Sequence, residues 1–93
     1  MSENWRILPV AYPANVTVRG VRFAMMDQGQ LIDILVTHGA LDRMEPPIGG
    51  SGNYLARFAK HREGFERIAD DKFIRSAIED DGSITVFAGD VQA

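Results

Sequence analysis

Residues 21–36, "VRFAMMDQGQLIDILV", carry the strongest constraint on what this chain can fold into. Two runs of β-forming residues flank a polar, glycine-containing tetrapeptide, and side chains on a strand alternate between its faces with a period of two. In the first run Val21, Phe23 and Met25 oppose Arg22, Ala24 and Met26. In the second, Ile32, Ile34 and Val36 oppose Leu31, Asp33 and Leu35, and "DQGQ" reverses the chain between them. The Ile32–Ile34–Val36 face is purely apolar and has to be core. Asp33 among leucines marks the opposite face as half covered, by the N-terminal arm or by a second subunit.

The remaining chain is read around that hairpin. Residues 1–15 hold Pro9 and Pro13, which forbid a continuous helix and predict an extended arm or edge strand with Trp5 as its anchor. "VTVRGVRFAMM" reads as one strand from Val16, with Gly20 as a bulge. Thr37 caps a short helix, "HGALDRM", that must stop before Pro46 and Pro47. "EPPIGGSG" is a loop, and Asn53 caps the main helix, expected over 53–69, with Leu55, Phe58, Phe65 and Ala69 on one stripe. Past Asp70 the apolar positions Phe73, Ile74, Ala77 and Ile78 slip out of phase, which predicts a kink or a second short helix. "DDG" at 80–82 is a turn, and "SITVFA" is a last strand with Ile84, Val86 and Ala88 inward.

The expected architecture is α+β: a small antiparallel sheet of three or four strands, opening with a hairpin, packed against one main helix plus short helices. The expected organisation is an extended arm over 1–15 and a single α+β domain over 16–93. A chain of 93 residues buries only about 60–65% of its unfolded surface, which makes stability modest or shared with a partner subunit. With no cysteine there is no disulfide, thiolate nucleophile or Cys-based metal site. No segment reads as a secretory leader or a membrane span, so the expectation is a cytoplasmic protein without membrane contact.

A formal charge of −3 argues against non-specific nucleic-acid binding, although six of the ten basic residues lie between Arg57 and Arg75. Arg57, Lys60, Arg67 and Lys72 are the candidate nucleic-acid contacts. Glu63, Glu66, Asp70 and Asp71 interleave with them and favour a solvated helix laced with ion pairs.

His61 and Arg62 stand within the apolar stripe, Arg62 between Phe58 and Phe65 and His61 on its shoulder. A guanidinium there needs acceptors, because an unpaired buried charge costs several kcal/mol. Glu66, one turn on, is the expected partner in a structural pair, with a loop carbonyl as a further acceptor. The alternative is an anion or ligand site, or an enzyme site, built on His61 and Arg62. His38 and His61 lack the H-x-x-x-H or H-E-x-x-H spacing of a metal site. "GGSGN" lacks the following Gly-Lys-Ser/Thr and the preceding strand of a phosphate loop. Ser2, Ser51, Ser76 and Ser83 have no G-x-S-x-G setting. No catalytic residue, metal or cofactor is therefore expected.

The order of several short elements resembles DUF1488, a family of short bacterial proteins of unknown function. They are "VRF" at 21–23, Gly29 in the turn, alternating Ile32, Ile34 and Val36, Thr37 followed by Ala40 and Leu41, Phe58, "HR" at 61–62, Phe65 with Glu66, Ala69, Lys72 with Phe73, and "DG" at 81–82. The likeness covers roughly residues 20–90. The family often carries cysteine where Ile34 stands here, and the arm departs from its pattern. The resemblance implies an α+β fold and a bacterial origin, and brings no catalytic residues. The function expected on these grounds is a non-enzymatic interaction or regulatory module acting as a homo-oligomer, a dimer in the simplest case. A nucleic-acid-binding regulator and an anion-binding or enzyme site at His61 and Arg62 are the rivals.

Overall fold

The computed structural model of the chain describes residues 5–45 and 53–91. The loop expected at 45–52 lies, past Glu45, outside the described residues. Among them the chain forms five strands and three helices, an α+β arrangement. Strands β1 (Leu8–Pro9), β2 (Asn15–Thr17), β3 (Gly20–Asp27) and β4 (Gln30–Thr37) come first. Helices α1 (His38–Met44), α2 (Tyr54–Lys60) and α3 (Arg62–Ile74) follow, then β5 (Ile84–Val86) and a 3-10 turn at Ala88–Asp90.

The hairpin at the centre is β3–β4, in register from Gly20↔Thr37 to Asp27↔Gln30. Its two turn residues, Gln28 and Gly29, have φ of 48° and 87°. Positive φ at both central positions is the geometry whose twist matches that of two antiparallel strands.

The segment expected as one long strand is two. The chain folds back at Val18 and Arg19, so that β2 pairs antiparallel with residues 20–22 of β3. Thr17 Oγ1 sets this turn by accepting the Arg19 N–H at 3.1 Å and donating to the Gly20 carbonyl at 3.2 Å. Gly20 is not a bulge but a point of close approach: a Cβ there would stand 1.9 Å from the Val36 carbonyl oxygen. Alternation cannot reveal such a fold-back, because the residues on both sides of it are good strand formers.

The arm joins the same sheet edge. β1 pairs with Met25 and Met26 while β2 takes the other end of β3, so five strands fill four positions. Trp5 is only half buried; Ile7, fully enclosed, is the anchor. Asp70 Oδ1 on α3 accepts the N–H groups of both Arg6 and Ile7 at 2.8 Å.

β5 corrects the expectation of an antiparallel sheet throughout. It lies beside β4 in parallel, with Ile34↔Ile84 and Val36↔Val86 as partners. Parallel neighbours need a crossover of a dozen residues or more, and the helical segment between β4 and β5 supplies it. Ala88 falls past the strand, in the 3-10 turn.

The single main helix expected over 53–69 is also divided. His61 has φ −113° and ψ 19°, and its N–H forks between the Arg57 and Phe58 carbonyls at 3.3 and 3.0 Å. α3 then runs unbroken through Asp70 to Ile74, with neither the kink nor the second short helix expected there. It ends in a Schellman motif: Ser76, at φ 62°, donates to the Phe73 carbonyl and Ala77 to that of Lys72. Serine in a place usually taken by glycine hides this stop from sequence reading. Thr37 caps α1 as expected, through the Ala40 N–H, and its hydroxyl also donates to the Val86 carbonyl at 3.1 Å. Asn53 holds the N-cap position of α2 without a side-chain cap bond.

The core lies between the helices and one sheet face. Phe23 packs on Phe58 at 4.9 Å, and Phe58 on Phe65 at 5.8 Å, among Met25, Ile34, Val36, Ile84 and Val86. Enclosing each Phe contributes about 1.5–3 kcal/mol over leaving it exposed. The other face, bearing Leu8, Arg22, Met26, Leu31 and Asp33, meets no helix among the described residues. No helix among the described residues is long and apolar enough to cross a membrane.

Candidate functional site

His61 and Arg62 occupy the joint between α2 and α3 and point to different parts of the molecule. His61 Nε2 lies 2.6 Å from Glu45 Oε1, an oxygen that Lys60 Nζ also approaches at 3.3 Å. Those two contacts, His61 first, hold the Glu45 carboxyl below its usual range. An ionised carboxylate only accepts, so His61 donates from Nε2. Nearby, Arg57 donates to Asp42 Oδ1 at 2.8 Å and to the Glu45 carbonyl at 2.7 Å, with its guanidinium over the Tyr54 ring. His38 stacks on the same Tyr54 ring at 4.4 Å. This cluster fastens α1 to α2.

Arg62 turns the other way. Its Nε donates to Glu66 Oε2 at 3.0 Å, and its outer nitrogen reaches the carbonyls of Val10 and Tyr12 at 3.2 and 3.5 Å. The guanidinium lies over the rings of Phe23 and Phe58, 5.4 and 5.6 Å from their centroids. Glu66 is buried. Arg62 thus ties α3 to the arm where the arm passes from β1 to β2. The two residues of the candidate anion site do not converge on one cavity.

The four candidate nucleic-acid contacts are likewise dispersed. Arg57 lies against α1, its side chain only 11% exposed. Lys60 pairs with Glu45, and Arg67 pairs with Glu63 at 3.1 Å while covering Trp5. Lys72 is buried beneath the 3-10 turn, 2.7 Å from Asp90 Oδ2. Asp90 feels burial first, which raises its pKa, but the hydrogen bonds from Lys72 and the Phe87 amide outweigh it and leave the carboxyl below its usual range. No group of three or more His, Cys, Asp or Glu among the described residues could hold a metal ion.

The uncovered sheet face has the more distinctive surface. At one end Leu8, Met26 and Leu31 are neighbours across β1, β3 and β4, and Leu8 and Leu31 are 56% and 51% exposed. Toward the other end Arg22 and Asp33 form an ion pair at 2.9 Å. Beyond it a pocket of about 290 Å³ lies between the sheet and the turns that hold Val18 and Asp81. Asp33 among leucines was the sequence signal for this face. The pocket left no signal, because its far wall depends on where β5 lies.

The sequence profile described as "Protein of unknown function (DUF1488)" matches residues 14–86. The chain belongs to the DUF1488 family. A crystal structure of a DUF1488 protein of unknown function from Shewanella loihica PV-4 superimposes with a TM-score of 0.75, at 23% identity, covering 91% of this chain and 96% of that one. At that identity the likeness concerns the fold. No curated protein matches the chain.

Proposed function

We propose that this DUF1488 protein is a non-enzymatic interaction module that associates with a second copy of itself through the uncovered sheet face. The observation that supports this most is the apolar patch of Leu8, Met26 and Leu31 on a face that no helix among the described residues meets. Contiguous exposed apolar surface of this kind marks interaction sites. The strands of this face bring Arg22 and Asp33 together, one charge of each sign, and a two-fold axis would set each against its opposite on the other protomer. The groups most able to do chemistry, His38, His61 and Arg62, are taken up in contacts between elements.

Size sets the strength of the association. Only β3 and β4 have eight residues and the flanking strands are shorter, so the four positions span at most about 27 Å by 14 Å, or roughly 400 Å² in projection. That is below the ~800 Å² per partner of a standard interface, so dissociation in the micromolar range is expected. Sedimentation equilibrium of the full chain from about 10 to about 500 µM is the test. A reversible monomer–dimer curve that Leu31→Lys shifts toward monomer, with thermal stability unchanged, supports the proposal. A monomer at every concentration overturns it.

A further inference from the structure

The pocket on the uncovered face lies beyond the apolar patch, at the end where β3 starts and β4 finishes; it is open on the single chain and a second copy laid on this face would cover it, so the titration below is run on the native chain and on Leu31→Lys, which separates the two readings. Leu35 and Thr85, which are register partners, form its floor. Arg19 and Val18 stand on one side, the Arg22–Asp33 pair crosses another, and Asp81 and Ser83 close the far wall.

Three of these groups have capacity that the fold leaves unused. Thr85 is only 5% exposed and lines the pocket, and its hydroxyl makes no hydrogen bond among the described residues. Arg19 makes no ion pair among them, because Asp33 is held by Arg22. Asp81 accepts the Ser83 N–H and hydroxyl on one oxygen, Oδ1, at 2.9 and 2.6 Å, which leaves Oδ2 to accept elsewhere. These bonds from Ser83 hold the Asp81 carboxyl below its usual range, so it is ionised at neutral pH.

Formal charges in the pocket cancel, with Arg19 and Arg22 against Asp33 and Asp81. A simple anion would gain from Arg19 and lose to Asp81, and a simple cation the reverse. A ligand bearing both charges gains from each. The volume sits at the small end of ligand pockets and suits a molecule of few heavy atoms.

We propose that this pocket binds a small zwitterion of the free α-amino acid class. Arg19 receives the carboxylate, Asp81 Oδ2 receives the ammonium, Thr85 bonds a remaining polar atom, and Leu35 and Val18 flank the side chain. The interaction is non-covalent and reversible.

The test is an amide NMR titration of the full chain with each standard amino acid to about 10 mM, with sodium acetate and methylammonium chloride as single-charge controls. The expected result is saturable shifts confined to residues around Arg19, Asp81, Ser83 and Thr85 for at least one amino acid, with either control at least tenfold weaker. Arg19→Gln, an exposed turn position whose loss leaves the fold intact, should weaken binding about fivefold or more. Thr85→Val should weaken it without moving peaks elsewhere. No saturable shift at these residues with any amino acid overturns the proposal. So does acetate binding as well as the best amino acid, or Arg19→Gln binding as well as the native chain.

Discussion

Arg62 draws its partners from three parts of the chain: Glu66 one turn along α3, two carbonyls of the arm, and the rings of Phe23 and Phe58. Arg62→Ala is therefore expected to cost about 1–3 kcal/mol, from lost packing of the side-chain stem and from a buried Glu66 left without its cation. Adding Glu66→Ala should recover part of the loss, since both charges are then gone. Urea unfolding of the single and double variants reads this directly, and additive losses would mean the pair is not coupled. Asp90 makes a prediction in pH. Its folded-state pKa lies below the unfolded value, so its contribution is full above the ordinary aspartate pKa of about 3.9 and fades as pH falls through the folded value. The urea midpoint should drop over that acid range, and more shallowly in Asp90→Asn; equal slopes would contradict this. At this scale the Arg62–Glu66 spacing was legible as a helical pair, and a fork with more donors than one carboxylate can use announced a further acceptor. Which carbonyls would serve was not legible, because main-chain oxygens are the same in every residue.

Among the elements, the β3–β4 hairpin was readable because alternation and a glycine turn both require it. The β2 fold-back, the break at His61 and the direction of β5 were not. A period of two gives a strand's faces and says nothing of which way it runs, and the Schellman stop at Ser76 lacks its usual residue. Gly20 is where these elements are most tightly drawn together, with φ 151° and the Val36 carbonyl against its α-carbon. Gly20→Ala should cost about 2–4 kcal/mol, since backbone on both strands must move to admit one methyl group. Thermal unfolding would show it, and a native-like melting point would mean that the hairpin yields more easily than the geometry implies.

For the whole molecule, the question is how the arm relates to the rest. The apolar face of the hairpin implied something packed upon it, and α+β composition followed from there; Ile7, fully enclosed, makes the arm part of that packing. A chain lacking residues 1–14 loses Ile7 at about 2–5 kcal/mol, leaves Arg62 and Asp70 short of partners, and opens one edge of β3 to pairing with other chains. It should melt well below the full chain and scatter light on standing. A soluble truncated chain with the full melting point would show instead that the arm is dispensable. The contacts that hold the arm have a consequence for how its sequence can drift. Asp70 takes main-chain N–H groups and Arg62 takes main-chain carbonyls, atoms that almost any residue brings with it. Apart from the side chains of Arg6, which reaches Asp27 and the Phe73 ring, and of Ile7, the stretch from Arg6 to Tyr12 is gripped by its shape and not by its spelling, so its other letters can change while α3 keeps the same hold.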